Sequence, residues 1–241
     1  MDAPIVFAYW DRTDYRLIDG FLAEWRAHFP QFAVYGDHDI EPLVASLFAG
    51  YLPLYQKIRI PAARADLARL IALYQHGGLY MDCHCGIGDI EATRRLLTEG
   101  LDKHDLILLD KDREVLPRDP AEIFPLNGVL FARARSPIIL AIAHKAFENL
   151  AAHHAAEQEN GFVPYDIWGL SGAGVLFDVL FQPDLRETRL REHYAGKVMF
   201  VPQETSPVRC YRHGAYREPG RHWSERQNLE PLFDLGKTLQ H

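Results

Sequence analysis

Between Pro61 and Cys85 the chain reads PAARADLARLIALYQHGGLYMDCHC, and its polar residues fall at spacings that could do chemistry. Asp66 and Arg69, three apart on a helix, share one face. Asp82 and His84, two apart in an extended strand, point the same way, so a carboxylate and an imidazole converge on one cation while Cys83 and Cys85 point to the other side. This alternation predicts a two-ligand metal site. The loop from Cys210 to Trp223 supplies His213, Arg217, Arg221 and His222, which could add a ligand or a phosphate clamp. A competing reading is structural zinc, since Cys83-His84-Cys85 and Cys210-x-x-His213 have zinc-like spacing. Alternation opposes it by placing both sulfurs opposite His84. For Asp66 and Arg69 the plain alternative is an exposed helix ion pair, worth roughly a few tenths of a kcal/mol.

Composition narrows the setting. The 241 residues, 48% apolar and 24% charged, are those of a globular protein, and the expectation is one α/β domain over 1–241. Lys plus Arg number 26 against 33 Asp plus Glu, a net charge of −7 that repels phosphate backbones and sets nucleic acid aside as a partner. No apolar run approaches the roughly 18–20 residues needed to cross a bilayer, so no transmembrane segment is expected. Met1-Asp2-Ala3-Pro4 does not look like a secretory signal, and the odd count of 3 cysteines suits a reducing compartment. The expected place is the cytoplasm, with peripheral contact at the inner face of a membrane left open.

The elements that must position these residues follow from periodicity. Pro4–Trp10 reads as a strand, Tyr15–His28 as a helix and Gln31–Tyr35 as a second strand, a parallel α/β opening. Pro61–His76 is the clearest helix: Pro61 suits its first turn, Ala63, Leu67, Leu70, Ile71 and Tyr74 form one stripe, and Gly77-Gly78 ends it. Strands are expected at Leu79–Cys85, Asp105–Leu109, Gly128–Ala132 and Lys197–Val201. Ser136-Pro137 opens a helix expected to end near a solvated His153-His154. Gly169–Gly174 reads as a turn before an apolar stretch, Val175–Phe181, and 203–224 as a loop.

At this point the chain resembles a known family. R-A-D-x-x-R followed by L-x-x-x-G-G-x-Y-x-D-x-H is similar to the sugar-binding region of DXD-motif glycosyltransferases. That group includes yeast-type initiating mannosyltransferases, large clostridial glucosylating toxins and bacterial capsular polysaccharide enzymes. Weaker agreement extends to Tyr9-Trp10, Asn127-Gly128, Ser171-Gly172-Ala173 and His222-Trp223.

The resemblance implies a GT-A-like, Rossmann-like open mixed sheet flanked by helices, binding its ligand at the carboxyl ends of the strands. It implies a retaining transfer of a hexose from a UDP- or GDP-sugar to a glycan, lipid-linked or protein acceptor, in surface glycan or polysaccharide synthesis. It further implies a divalent cation, Mn2+ with Mg2+ possible, that stabilises charge on the departing diphosphate. Asp66 and Arg69 match residues that hold sugar hydroxyls and are the catalytic candidates. Tyr9, Trp10, Gly78, Tyr80, Asn127 and Trp223 form the substrate-binding set, with Trp10 packing on the nucleobase. Asp82, His84 and His222 are the implied metal ligands, His222 being favoured over His213 because it precedes Trp223. His84 stands where the family has a second Asp, a change from oxygen to nitrogen that suits manganese better than magnesium. The alternative class is a non-catalytic module, zinc-stabilised or glycan-binding.

Overall fold

The computed structural model describes residues 5–12, 15, 16, 18–114, 116, 119, 122–182, 189–210 and 222–236. The chain opens with β1 (Val6–Tyr9), α1 (Asp19–His28), β2 (Ala33–Tyr35), α2 (Asp37–Leu47) and α3 (Leu52–Lys57). The long α4 (Pro61–His76) leads into β3 (Gly78–Met81) and β4 (Cys85–Ile87). Then come α5 (Ile90–Arg95), α6 (Leu101–Lys103), β5 (Leu106–Asp110), β6 (Pro125–Ala132) and α7 (Pro137–Asn160). The last elements are α8 (Ile167–Leu170), α9 (Ala173–Leu180), β7 (Val198–Pro202), β8 (Val208–Cys210) and α10 (Trp223–Arg226).

Six strands form one sheet in the order β2-β1-β3-β6-β5-β7, and β4 pairs with β8 in a separate ribbon. Only β6 runs against the other five strands. This is an open mixed α/β sheet flanked by helices, as the GT-A-like reading expects. Alternation along each strand splits the core in two. Phe7, Tyr9, Tyr80, Leu106 and Leu108 pack against α2, α4, α7 and α9, whereas Val6, Ala8, Leu79, Met81, Ile107 and Leu109 pack on the side of α1. Among the described residues no helix is long and apolar enough to cross a membrane.

Several expectations are corrected. The helix expected from Tyr15 begins at Asp19, after a turn in which Ile18 N–H donates to Tyr15 O. The strand expected over Leu79–Cys85 ends at Met81: Asp82–His84 turn, closed by a bond from Cys85 N–H to Asp82 O, and the chain restarts in a different ribbon. Strand alternation therefore does not govern Asp82 and His84. The helix expected to end near His153 continues to Asn160, because His153 and His154 pack on Phe233 rather than facing solvent. Buried Glu157 accepts bonds from Leu232 N–H at 2.8 Å and Phe233 N–H at 3.1 Å, which fastens the C-terminal segment to α7. The stretch Val175–Phe181 falls mostly in α9, and the Gly169–Gly174 turn is split between α8, a tight bend and the start of α9. The 203–224 loop contains β8 and enters α10; His213, Arg217 and Arg221 lie outside the described residues.

The paired glycines have a packing cause. Both lie at positive φ, and a Cβ on Gly78 would sit 2.0 Å from the carbonyl oxygen of Ile5, where β3 enters the sheet beside β1. Gly78 thus opens β3 at the end away from Asp82, where the close approach to β1 calls for a glycine, and it is not among the residues that line the cleft described below. We expect Gly78→Ala to cost about 3 kcal/mol or more, adding positive-φ strain to a backbone clash. An unfolding free energy from urea titration within about 0.5 kcal/mol of the parent would contradict this packing role.

Candidate functional site

The helix α4 carries the centre of the site because almost all of its circumference is buried. Ala63, Leu67, Leu70 and Ile71 are core residues, and Asp66 and Arg69 are each only 5% exposed. The exposed-pair reading of these two is therefore set aside. A buried pair must find hydrogen bonds for every charged atom, and this one does. One Asp66 oxygen accepts from Arg69 Nη2 at 3.0 Å and Asn127 Nδ2 at 3.0 Å, and the other accepts from Ser171 Oγ at 2.8 Å. Arg69 also donates to Ala65 O at 3.1 Å and to Asn127 O, and its guanidinium lies 4.7 Å from the Tyr80 ring centre.

From Arg69 the network reaches Asp82, 3.5 Å away, whose Oδ1 accepts the Tyr80 hydroxyl at 2.7 Å. Gly128 leaves room for the second oxygen: a Cβ there would stand 2.7 Å from Asp82 Oδ2, and Gly128 O accepts the Asp82 N–H at 2.8 Å. The Asp82 side chain is 28% exposed, so it is the carboxylate of the pair that meets solvent. Two carboxylates against one guanidinium leave excess negative charge at the cleft floor.

The titrations follow from burial. Burial pushes the Asp66 carboxyl up to about 6, against the opposing pull of Arg69 and Ser171 and with Asp82 adding to the rise. Burial works against the charge on Arg69, but Tyr80, Asp82 and Asp66 more than offset it and hold the guanidinium protonated. Burial raises the Tyr80 phenol well above its ordinary value, which keeps it a donor to Asp82.

These residues floor a cleft of about 280 Å³, near the lower end of the roughly 300–1,000 Å³ of small-molecule sites. Its walls bring together Tyr9, Trp10, Asp66, Arg69, Tyr80, Asp82, Asn127, His222 and Trp223, most of the residues singled out in the sequence. Tyr9 lines the cleft as a largely buried residue, and its hydroxyl donates to Asp37 at 2.6 Å, in a group that also holds Tyr55 and Arg64. Trp10 is largely buried in the core, with Arg12 lying 5.7 Å from its ring centre. His84 and Gly78 are not on these walls, although Cys83, beside His84, is.

Sequence reading did not single out Ser171 as a site residue, although it marked the Ser-Gly-Ala run, nor Asp11, Arg12, Trp168 or the packing role of Gly128. Arg12 and Asp11 directly follow Trp10, which was the available signal.

Whether a divalent cation fits can be judged from the donor set. Among the described residues no three His, Cys, Asp or Glu side chains gather as a metal cluster. The three thiols do not gather at one point: Cys83 Sγ donates to Tyr9 O at 3.1 Å, whereas the Cys85 and Cys210 side chains meet in a hydrogen bond across the β4–β8 ribbon. Among the described residues a four-ligand structural zinc finds no cluster, and His213, one of its expected ligands, lies outside them. Asp82 and His222, which both line the cleft, suit instead a cation that takes one or two protein ligands and completes its shell with phosphate and water. His222 Nδ1 accepts from Ser224 N–H at 3.3 Å and lies 2.7 Å from Ser224 Oγ, which caps α10 and puts the ring proton on Nε2, so a metal at Nε2 would displace that proton.

Residues 22–89 match the family model of the glycosyltransferase sugar-binding region containing the DXD motif. No curated protein matches the chain. Among solved structures it is similar to PaToxG glycosyltransferase, at 13% identity over 75% of this chain and 69% of that one, with a TM-score of 0.44. It is also similar to the UDP-bound glycosyltransferase domain from the YGT toxin, at 12% identity over 73% of this chain and 53% of that one, TM-score 0.42. A third is a glycosyltransferase involved in the glycosylation of the major capsid of PBCV-1, at 8% identity over 83% of this chain and 81% of that one, TM-score 0.33. The chain spans about half the length of the YGT toxin domain.

The raised Asp66 carboxyl gives a pH prediction. A ligand hydroxyl that donates to Asp66 needs the ionised form, so affinity should fall as pH drops through about 6 and stay level above it. Carboxyl-resolved NMR titration checks the cause directly. An Asp66 midpoint below 4 would contradict the dominance of burial.

Proposed function

We propose, on the premise that residues 22–89 are the sugar-binding region of a DXD-motif glycosyltransferase, that this chain transfers a hexose from a nucleotide-diphosphate sugar to an acceptor hydroxyl with divalent-metal dependence and retention of configuration. The observation that carries the reading is the buried Asp66–Arg69–Asp82 network opening into a cleft. A sugar presents several hydroxyls at fixed angles, and a carboxylate held on three sides by Arg69, Asn127 and Ser171 is an acceptor that cannot turn away from them. Nearby negative charge at Asp82 calls for a cation if a diphosphate is to lie beside it.

Asp82, with His222, would hold that cation, and His84 on the same turn completes the proposed ligand set, Mn2+ preferred and Mg2+ permitted. When bound, the cation stabilises negative charge on the leaving diphosphate. Asp66 and Arg69 orient the hexose, and Tyr80 fixes one Asp82 oxygen so that the other is presented. The wall formed by Tyr9, Trp10 and Arg12 would take the UDP or GDP moiety, with Asn127 and Trp223 closing on the donor. In a retaining transfer the acceptor oxygen bonds to the anomeric carbon on the face that the diphosphate leaves, the bond from that carbon to phosphate oxygen breaks, and the acceptor proton passes to the departing oxygen. That course needs no enzymic nucleophile. The proposal includes one domain over 1–241 with an active-site loop at 203–224, a cytoplasmic setting and a role in surface glycan synthesis.

Asp82→Asn removes the proposed charge while keeping the shape. Manganese-dependent hydrolysis across a panel of UDP- and GDP-hexoses should fall about 100-fold or more with the melting temperature retained. Undiminished turnover would remove Asp82 as a ligand. Gly128→Ala should push Asp82 aside and weaken manganese-dependent donor binding about tenfold, measured by calorimetry. Parental affinity in a variant that folds normally would show that the space beside Asp82 is not used.

A further inference from the structure

Among the described residues the exposed large apolar side chains are Phe162, Trp168 and Leu229, and of these Trp168 alone lines the cleft. An indole 42% exposed in a cleft is unusual enough to need a cause. Looseness is not that cause. Although α8 is only four residues long, it is capped by its own Asp166 and tied to two other parts of the chain. Asp166 accepts from Trp168 N–H at 3.2 Å, Gln227 Oε1 accepts from Ile167 N–H at 3.3 Å, and Asn149 Nδ2 donates to Gly169 O at 3.3 Å and Leu170 O at 3.4 Å.

The ring itself is seated against Phe177 and Phe124, with centres 5.7 and 6.3 Å away. Gly174 lets it lie there: a Cβ would approach the indole Cε3 at 2.8 Å and Trp168 O at 2.7 Å. The same bend carries Ser171 to Asp66, so the ring's place is fixed relative to the proposed sugar-binding carboxylate. A rigid exposed aromatic binds with little ordering cost.

Its chemistry differs from the other wall. Beside Trp10 stand the charged residues Arg12 and Asp11, whereas among the described residues the lining nearest Trp168 in the chain is Ile167, Gly172 and Ala173, with the Asp166 carboxylate at the start of α8. A rigidly seated indole that lines the cleft and is tied to the proposed sugar-binding carboxylate through the Ser171 bend suits a neutral ring with one apolar face. We propose that Trp168 is the platform of an acceptor subsite for a saccharide unit, so that the acceptor is a glycan rather than a protein hydroxyl. This rests on the transferase reading and names its acceptor class.

The test compares the parent with Trp168→Phe and Trp168→Ala in full-length protein, using manganese, UDP- and GDP-hexoses, and a panel of disaccharides, methyl glycosides and Ser- or Tyr-containing peptides. Transfer to a saccharide is expected, with the acceptor KM raised on the order of tenfold in Trp168→Ala, largely restored in Trp168→Phe, and the donor KM unmoved. Saturation-transfer NMR should show the same saccharide binding the parent in the presence of UDP and manganese, and binding Trp168→Ala on the order of tenfold more weakly. A donor KM that rises with the acceptor KM, an unchanged acceptor KM, or transfer to peptides alone would overturn the subsite. If the parent neither binds nor hydrolyses any nucleotide-sugar, the transferase reading itself falls and this inference with it.

Discussion

Burying Asp66 and Arg69 side by side under a cleft is the constraint on which the surrounding structure depends. Removing either partner of such a pair typically costs about 3–5 kcal/mol, because the other charge is left without compensation in a poorly solvating interior. The neighbours of the pair follow from that demand. Asn127 turns its amide to Asp66 and its carbonyl to Arg69, Ser171 reaches over from the α8–α9 bend, and Tyr80 lies against the guanidinium. Three distant stretches of chain are thus held to one helix by a satisfied polar network, which also explains why the carboxylate is preorganised for a ligand rather than free to rotate.

The sheet supplies the geometry that this network requires. β1 and β3 run parallel and end on the same side, so Tyr9-Trp10 and Asp82 arrive together at the cleft, and antiparallel β6 brings Asn127 and Gly128 back alongside. Glycine does much of the shaping. Gly78 admits close approach of β3 to β1, Gly128 leaves space for Asp82 and Gly174 seats Trp168, three positions where a methyl group would collide with backbone, carboxylate or ring. On the far side, Glu157 fastens the C-terminal segment to α7 and thereby fixes where the segment bearing Trp223 rejoins the body.

Much of the helix that carries the site was legible in the sequence, since Pro61, one apolar stripe and Gly77-Gly78 bound α4 to the residue. The convergence of Asp66, Arg69, Tyr80, Asp82 and Asn127 on one cleft was legible only through the resemblance, because periodicity says nothing about which helix lies over which strand. The turn at Asp82–His84 was not legible: Leu79–Cys85 has strand-like residues throughout, and what ends the strand is the separate pairing of Cys85 with Cys210, a contact far along the chain. His153-His154 looked like a polar helix end, but packing against Phe233 draws them inward. Ser171 and Trp168 were hidden for a related reason, since a bend near Gly-rich sequence gives no sign of what its neighbours will touch.

The central claim is that Asp66 and Arg69 meet a sugar while Asp82 faces its diphosphate. A crystal structure with manganese and a hydrolysis-resistant nucleotide-sugar tests this most directly. The account predicts hexose hydroxyls at about 3 Å from the Asp66 carboxylate, with the diphosphate beside Asp82. A nucleotide-sugar bound elsewhere, or with its hexose turned away from Asp66, would contradict it.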